Sequence, residues 1–170
     1  MKGAKAMKET KFWEQLKSGH FAQMVRENTK GREISSPVEA YNIVKPLFAE
    51  NDDVEAMYCI FLDGQNHILA IEKMFSGSLS SASIYPRELI KRVLDLKSAA
   101  VLVTHNHPSG NTSPSEADRT ITRKMILSLA AIDVLLHDHI IVGDGYYSMS
   151  EDGWIQSIAD KCQKFLSQHN

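Results

Sequence analysis

Residues 101–118 read VLVTHNHPSGNTSPSEAD. The stretch begins as an apolar run, passes through His105-Asn106-His107, and crosses a loop of Pro108, Ser109, Gly110, Asn111 and Thr112 before reaching Ser115 and Asp118. With Ala99 and Ala100 in front of it, the apolar run is that of a strand covered on both faces. Ser113-Pro114-Ser115-Glu116 has a capping-box pattern and is expected to open a helix running to about Ala131. An extended backbone turns side chains at i and i+2 to the same side, so His105 and His107 share one side at the strand end. Ser115 and Asp118 are at i and i+3, on one face of the first helical turns. The strand thus offers two nitrogen ligands and the helix one oxygen ligand. Three protein ligands with an open position for water is the usual make-up of a catalytic zinc, whereas a structural zinc more often takes four ligands with thiolates among them. The two cysteines, Cys59 and Cys162, are both distant in sequence.

Zinc lowers the pKa of a bound water to about 7, which generates hydroxide at neutral pH. The site then needs a carboxylate from elsewhere to carry the water's proton to the leaving group. On spacing alone, Glu55, Glu72 and Glu88 are all candidates.

Outward from this stretch the elements alternate. Ser36-Pro37-Val38-Glu39 is a capping box with proline at the first helical position, and the helix behind it carries Val38, Tyr41, Val44 and Phe48, bent or shortened at Pro46. VEAMYCIFLD (54–63), a turn signal at Asp63-Gly64-Gln65-Asn66, and HILAIEKMF (67–75) read as a β-hairpin. A Ser/Gly-rich loop from Ser76 to Tyr85 leads to a helix starting at Pro86, with Leu89, Ile90, Val93 and Leu94 on one side. IDVLLHDHIIVGDG supplies one or two strands with a turn at Gly143-Asp144-Gly145, and Trp154 to Leu166 is a terminal helix. The class is therefore α/β, a mixed β-sheet flanked by helices. Residues 1–35 read as a mostly polar, partly helical extension in which Phe12 and Leu16 mark one helical turn; residues 36–170 form the domain.

Composition bounds the function. A chain of 170 residues with 43% hydrophobic and 24% charged residues is an ordinary globular protein of one domain. A net charge of -2 gives no overall basic field for nucleic acid. Cys59 lies in an apolar run and reads as a small buried hydrophobe, and neither cysteine has zinc-knuckle spacing. No apolar run approaches the length of a membrane span, and the Lys-rich start is not followed by a signal-type core, so a cytoplasmic location is expected.

The spacing His105-x-His107-Pro108, seven residues between His107 and Ser115, then Ser115-x-x-Asp118 resembles the JAMM motif of JAB/MPN+ metalloproteins. FLDGQNHIL, the GSLSSASIYPREL loop and LLHDHIIVGDGYYSMSEDG extend the likeness to the C-terminal domain of RadC-type proteins, over roughly residues 37–155. The resemblance implies a JAB/MPN, cytidine-deaminase-like architecture. It implies Zn2+ held by His105, His107 and Asp118, with Ser115 assisting the tetrahedral intermediate and Glu55 as the acid-base residue. The implied activity is that of a zinc metallopeptidase or related hydrolase acting on amide or isopeptide bonds. Full-length RadC-type proteins also carry a DNA-associated helix-hairpin-helix region, for which residues 1–36 are too short. The short, stand-alone form is expected.

Other readings compete. His137-Asp138-His139 is a second H-x-H, without a helix-borne carboxylate at matching distance, and reads as histidine satisfied at a strand edge. Nucleobase deamination needs His-x-Glu and Pro-Cys-x-x-Cys, and both are missing. The alternative from another class is a DNA-processing role, as nuclease or binding module, with Lys91, Arg92, Arg119, Arg123 and Lys124 as a basic face. The expected partner is a peptide or protein substrate, with no membrane.

Overall fold

The fold is seen in a computed structural model that describes residues 18–49, 52–77 and 85–167. Along the chain run α1 (His20–Thr29), α2 (Pro37–Phe48), β1 (Ala56–Leu62), β2 (Ile68–Ser76), α3 (Pro86–Leu96), β3 (Ala100–Asn106), α4 (Glu116–Ala130), β4 (Leu135–Val142), β5 (Tyr146–Ser148) and α5 (Trp154–Ser167). The strands form one five-stranded sheet in the order β2-β1-β3-β4-β5. Only β3 and β4 run parallel, joined through α4; the other neighbours are antiparallel. This is the expected α/β class with a mixed, helix-flanked sheet.

Alternation along the strands explains why the sheet is covered on both faces. Tyr58, Ile60 and Leu62 of β1 and Leu102 of β3 pack on one side with Ala40, Ile43, Val44, Leu47 and Phe48 of α2. Met57, Cys59 and Phe61, with Val101 and Val103, pack on the other with residues of α3, α4 and α5. Every residue of β1 and of β3 is buried. The hairpin turn forms because the Asp63 carboxylate accepts the backbone N–H groups of Gln65 (2.8 Å) and His67 (2.9 Å).

Some expected faces are displaced. The buried stripe of α2 falls at 40, 43, 44, 47 and 48, a clean helical spacing that leaves Val38 exposed. Leu94 of α3 likewise points to solvent. Pro46 does not end α2, which continues to Phe48; so close to the helix end, its missing N–H costs a single bond. Ser36 caps the helix as read, accepting from the Glu39 N–H. Upstream, Ala22 of α1 and Ile34 join the α2-side core, and Gly31 N–H donates to the Ile68 carbonyl at 2.8 Å. The helical turn at Phe12 and Leu16 lies outside the described residues. Among the described residues no helix is long and apolar enough to cross a membrane.

Candidate metal centre

His105 is fully buried near the end of β3. His107 follows the strand and prolongs its pairing with β4, donating its backbone N–H to the Val142 carbonyl at 2.8 Å. The extended backbone brings the two imidazoles to one side, with their Nε2 atoms 2.9 Å apart. Asp118, only 2% exposed, meets them from α4: Oδ1 lies 3.2 Å from His105 Nε2, and Oδ2 3.4 Å from His107 Nε2. One ligand atom from each residue lies within 4.8 Å of the others, a two-nitrogen, one-oxygen donor set that suits a divalent transition metal.

Ser115 differs from its expected place. The capping box is formed by Ser115 and Asp118, not by Ser113 and Glu116: Ser115 is the N-cap and the helix begins at Glu116. The Ser115 hydroxyl accepts from Asp118 N–H (3.1 Å) and donates to Asp118 Oδ2 (2.6 Å), while Ser115 N–H also donates to Oδ2 at 2.7 Å. With Oδ2 engaged by Ser115, the Oδ1 edge is turned to His105. Burial opposes ionisation of Asp118. The bonds from His105 and His107, the charge of His105 and the Ser115 hydroxyl outweigh it and hold the carboxyl well below the usual range. The hydrogen bond to Asp118 in turn raises the His107 imidazole above its ordinary value, against burial.

Of the three upstream glutamates, one reaches this site. β1 pairs antiparallel with β3 up to Met57 opposite His105, and Glu55 lies just before β1, at the end of the sheet where His107 leaves β3. The segment is clamped by the buried amide of Asn106, which accepts from Ala56 N–H (2.7 Å) and donates to the Val54 carbonyl (3.1 Å). Gly77 N–H holds the other side, donating to the Glu55 carbonyl at 2.8 Å. Glu55, His107, Ser115 and Asp118 line one cleft of about 610 Å³ together with Asp53, Pro108 and Ser109. Glu72 instead pairs with Arg92 on the β2–α3 side, and Glu88 sits on the surface of α3 beside Arg87.

Residues 34–154 match a family model described as the RadC-like JAB domain. The chain belongs to that family. Its curated relatives include a UPF0758 protein of Vibrio atlanticus (strain LGP32), 42% identical over 128 residues, which cover 75% of this chain and 57% of the relative. A UPF0758 protein of Ectopseudomonas mendocina (strain ymp) is 42% identical over 137 residues, covering 80% and 59%. Another, from Vibrio vulnificus (strain YJ016), is 49% identical over 102 residues, covering 59% and 46%. The chain spans about half the length of the curated relatives it matches.

In this RadC-like domain the sequence reading missed that His139, taken as satisfied at a strand edge, and Thr122 stand behind His105. His139 is on β4, an interior strand flanked by β3 and β5, so it is not at a strand edge. Val103 opposes His139 and His105 opposes Ile141, which sets the two histidines one diagonal step apart on the α4 face. His139 is fully buried, with Nε2 2.8 Å from His105 Nδ1 and Nδ1 2.6 Å from the Thr122 hydroxyl. Burial, with the charge of His105, pushes its imidazole well below the ordinary value, so it is neutral. The signal was a histidine leading directly into the apolar run Ile140-Ile141-Val142, where a buried ring requires partners. Its neighbour His137 is the satisfied histidine expected, with Nε2 2.8 Å from Asn66 Oδ1.

The loop after His107 is fixed by close backbone approach. Gly110 has φ +81°, its carbonyl accepts Asp144 N–H at 2.9 Å, and a Cβ on Gly143 would collide with the Gly110 backbone. The same loop brings the Asn111 carbonyl within 2.6 Å of His107 Nδ1. The expected basic face is divided among other contacts. Lys91 and Arg92 pair with Asp95, Arg92 also with Glu72, and Arg119 and Arg123 stack on Trp154.

Proposed function

We propose that this RadC-like domain is a zinc-dependent hydrolase of the JAMM type, cleaving an amide or isopeptide bond in a peptide or protein substrate. The observation that carries the reading is the convergence of His105, His107 and Asp118 beside a cleft that His107 and Asp118 line together with Glu55. His105 and His107 would hold zinc through Nε2 and Asp118 through its carboxylate. Zinc, when bound, supplies a Lewis acid that polarises a carbonyl and makes water acidic enough to ionise near neutral pH.

The chain's own residues supply the rest. Glu55 takes a proton from the attacking water as the C–O bond forms, then delivers it to the departing amine as the C–N bond breaks. Ser115, at the cleft surface and at the start of α4, steadies the developing oxyanion by turning its hydroxyl proton from Asp118 to the substrate oxygen. The substrate form this reading favours is an extended chain laid across the cleft between Glu55 and Ser115. The alternative DNA-processing role draws no comparable support, because four of the five basic residues are engaged within the domain.

The test is metal content together with hydrolysis. Purified protein is expected to carry about one zinc per chain. His107→Ala loses the metal, whereas Glu55→Gln keeps it and loses cleavage of isopeptide-linked or peptide substrates. A wild-type protein that stays metal-free after incubation with zinc overturns the reading.

A further inference from the structure

We propose that His139 and Thr122 are positioning residues that fix the proton of His105 on Nδ1 and thereby present the Nε2 lone pair to the metal site. The proposal rests on the zinc reading above for its consequence, but the hydrogen-bond chain behind it belongs to the protein alone. The Thr122 hydroxyl lies 2.5 Å from the Asp118 backbone carbonyl, which can only accept, so Thr122 spends its single proton there. The same oxygen is 2.6 Å from His139 Nδ1, and it has only a lone pair left to offer. His139 must therefore carry its proton on Nδ1, which leaves Nε2 as an acceptor. His105 Nδ1, 2.8 Å from that acceptor, must be the donor. When the Nε2 proton that bonds Asp118 leaves, His105 has its one lone pair on Nε2, the atom that faces His107 and Asp118.

His107 reaches the same state by a shorter route, since the Asn111 carbonyl 2.6 Å from Nδ1 accepts its proton. The two ligands are thus oriented differently: one by a loop carbonyl, the other by a buried relay through β4 and α4. The relay also returns to its beginning. Thr122 is one turn beyond Asp118 and bonds that residue's carbonyl, so the third ligand and the tautomer of the first are set on the same helix. Outer partners that fix a ligand's ring and tautomer typically govern metal affinity by about 10- to 100-fold.

Thr122→Val removes the acceptor for His139 without touching a ligand and nearly preserves volume. It frees His139 to place its proton on Nε2, against His105 Nδ1, and so to drive the His105 proton onto Nε2. Zinc affinity by chelator competition is expected to fall by about 10-fold or more. Nitrogen-15 NMR of the metal-free protein should show His105 leaving the Nδ1–H form. Thr122→Ser is expected to restore both readouts. His139→Gln, with an amide oxygen toward His105 and an amide N–H toward Thr122, is expected to bind zinc more tightly than His139→Leu. Thermal melts identify any variant that merely unfolds. Wild-type zinc affinity and an unchanged His105 tautomer in a folded Thr122→Val protein overturn the proposal. A wild type that binds no zinc but shows His105 as Nδ1–H, lost in Thr122→Val, sinks the metal reading and leaves the relay standing.

Discussion

Ser115 and Asp118 hold one another by three hydrogen bonds, so the carboxylate that faces His105 and His107 is also the group that starts α4. A metal ligand on a free loop would have to be ordered on binding; here the capping box orders it in advance. Ser115→Ala removes the side chain that accepts from Asp118 N–H, at a cost of about 1 kcal/mol. For a chain of this size that corresponds to a melting temperature lower by about 2–4 °C. The measurement is a thermal melt with chelator present, so that metal binding does not contribute. Ser115→Thr is expected to recover most of the loss, and a Ser115→Ala melt equal to wild type would contradict the capping role.

Asn106, between the two histidines, joins the site to the segment bearing Glu55. Asn106→Ala strands the Val54 carbonyl and Ala56 N–H, both bonded to it, and is expected to cost about 1–3 kcal/mol of stability. It also frees the segment that holds Glu55 at the cleft. We expect a lower kcat with zinc stoichiometry unchanged. Loss of metal in step with activity would assign Asn106 to the ligands rather than to the glutamate.

Gly143→Ala probes the loop from the other side. Its methyl group would strike the Gly110 backbone, whose carbonyl receives Asp144 N–H, and the loop bearing Asn111 must shift. His107 then loses the acceptor at its Nδ1. Zinc affinity is expected to fall by about 10-fold, the typical cost of an outer partner. Gly145→Ala, where a Cβ meets open space, serves as the control and should bind as wild type. Equal affinities in the two variants would remove the loop from the account.

Away from the cleft, Arg92 grips Glu72 with two hydrogen bonds, of 2.7 and 2.5 Å, tying α3 to β2. The Arg92 hydrogen bond, opposed by partial burial, holds the Glu72 carboxyl below its ordinary value. A depressed folded pKa means the unfolded chain takes up the proton first as pH falls. The stabilisation is therefore present in full above the ordinary pKa of about 4.5 and is lost as pH drops through the lower folded value. Glu72→Gln is expected to cost about 1 kcal/mol at pH 7. The gap from wild type should close in denaturant titrations carried to acid pH. A gap that persists or widens there would show that the pair's charge is not the source.

The ligand cluster was readable because its geometry is local. Two histidines at strand spacing, a short loop and a Ser-x-x-Asp helix start fall within one stretch of chain, where periods of two and of three to four residues dictate which side chains meet. The α/β class was readable for the same reason, as alternating runs of strand and helix periodicity. The start of α4 was misplaced by two residues because Ser113-Pro114-Ser115-Glu116 offers two serines as caps. Ser115 is the cap used, and its capping-box partner Asp118 is the residue that meets the histidines.

Glu55 and His139 belong to the other kind of knowledge. From spacing alone Glu55, Glu72 and Glu88 were equivalent, and only the antiparallel pairing of β1 with β3 brought the first of them into one cleft with His107. His139 became a partner of His105 because β4 lies parallel to β3 in a register that sets the two rings diagonally on one face. A one-residue slip in either pairing would turn these side chains to the opposite face. Register is a property of the assembled sheet, decided by the burial of both faces at once. Local spacing therefore carried the His105, His107 and Asp118 cluster, while Glu55 and His139 came into place beside it only through long-range strand pairing.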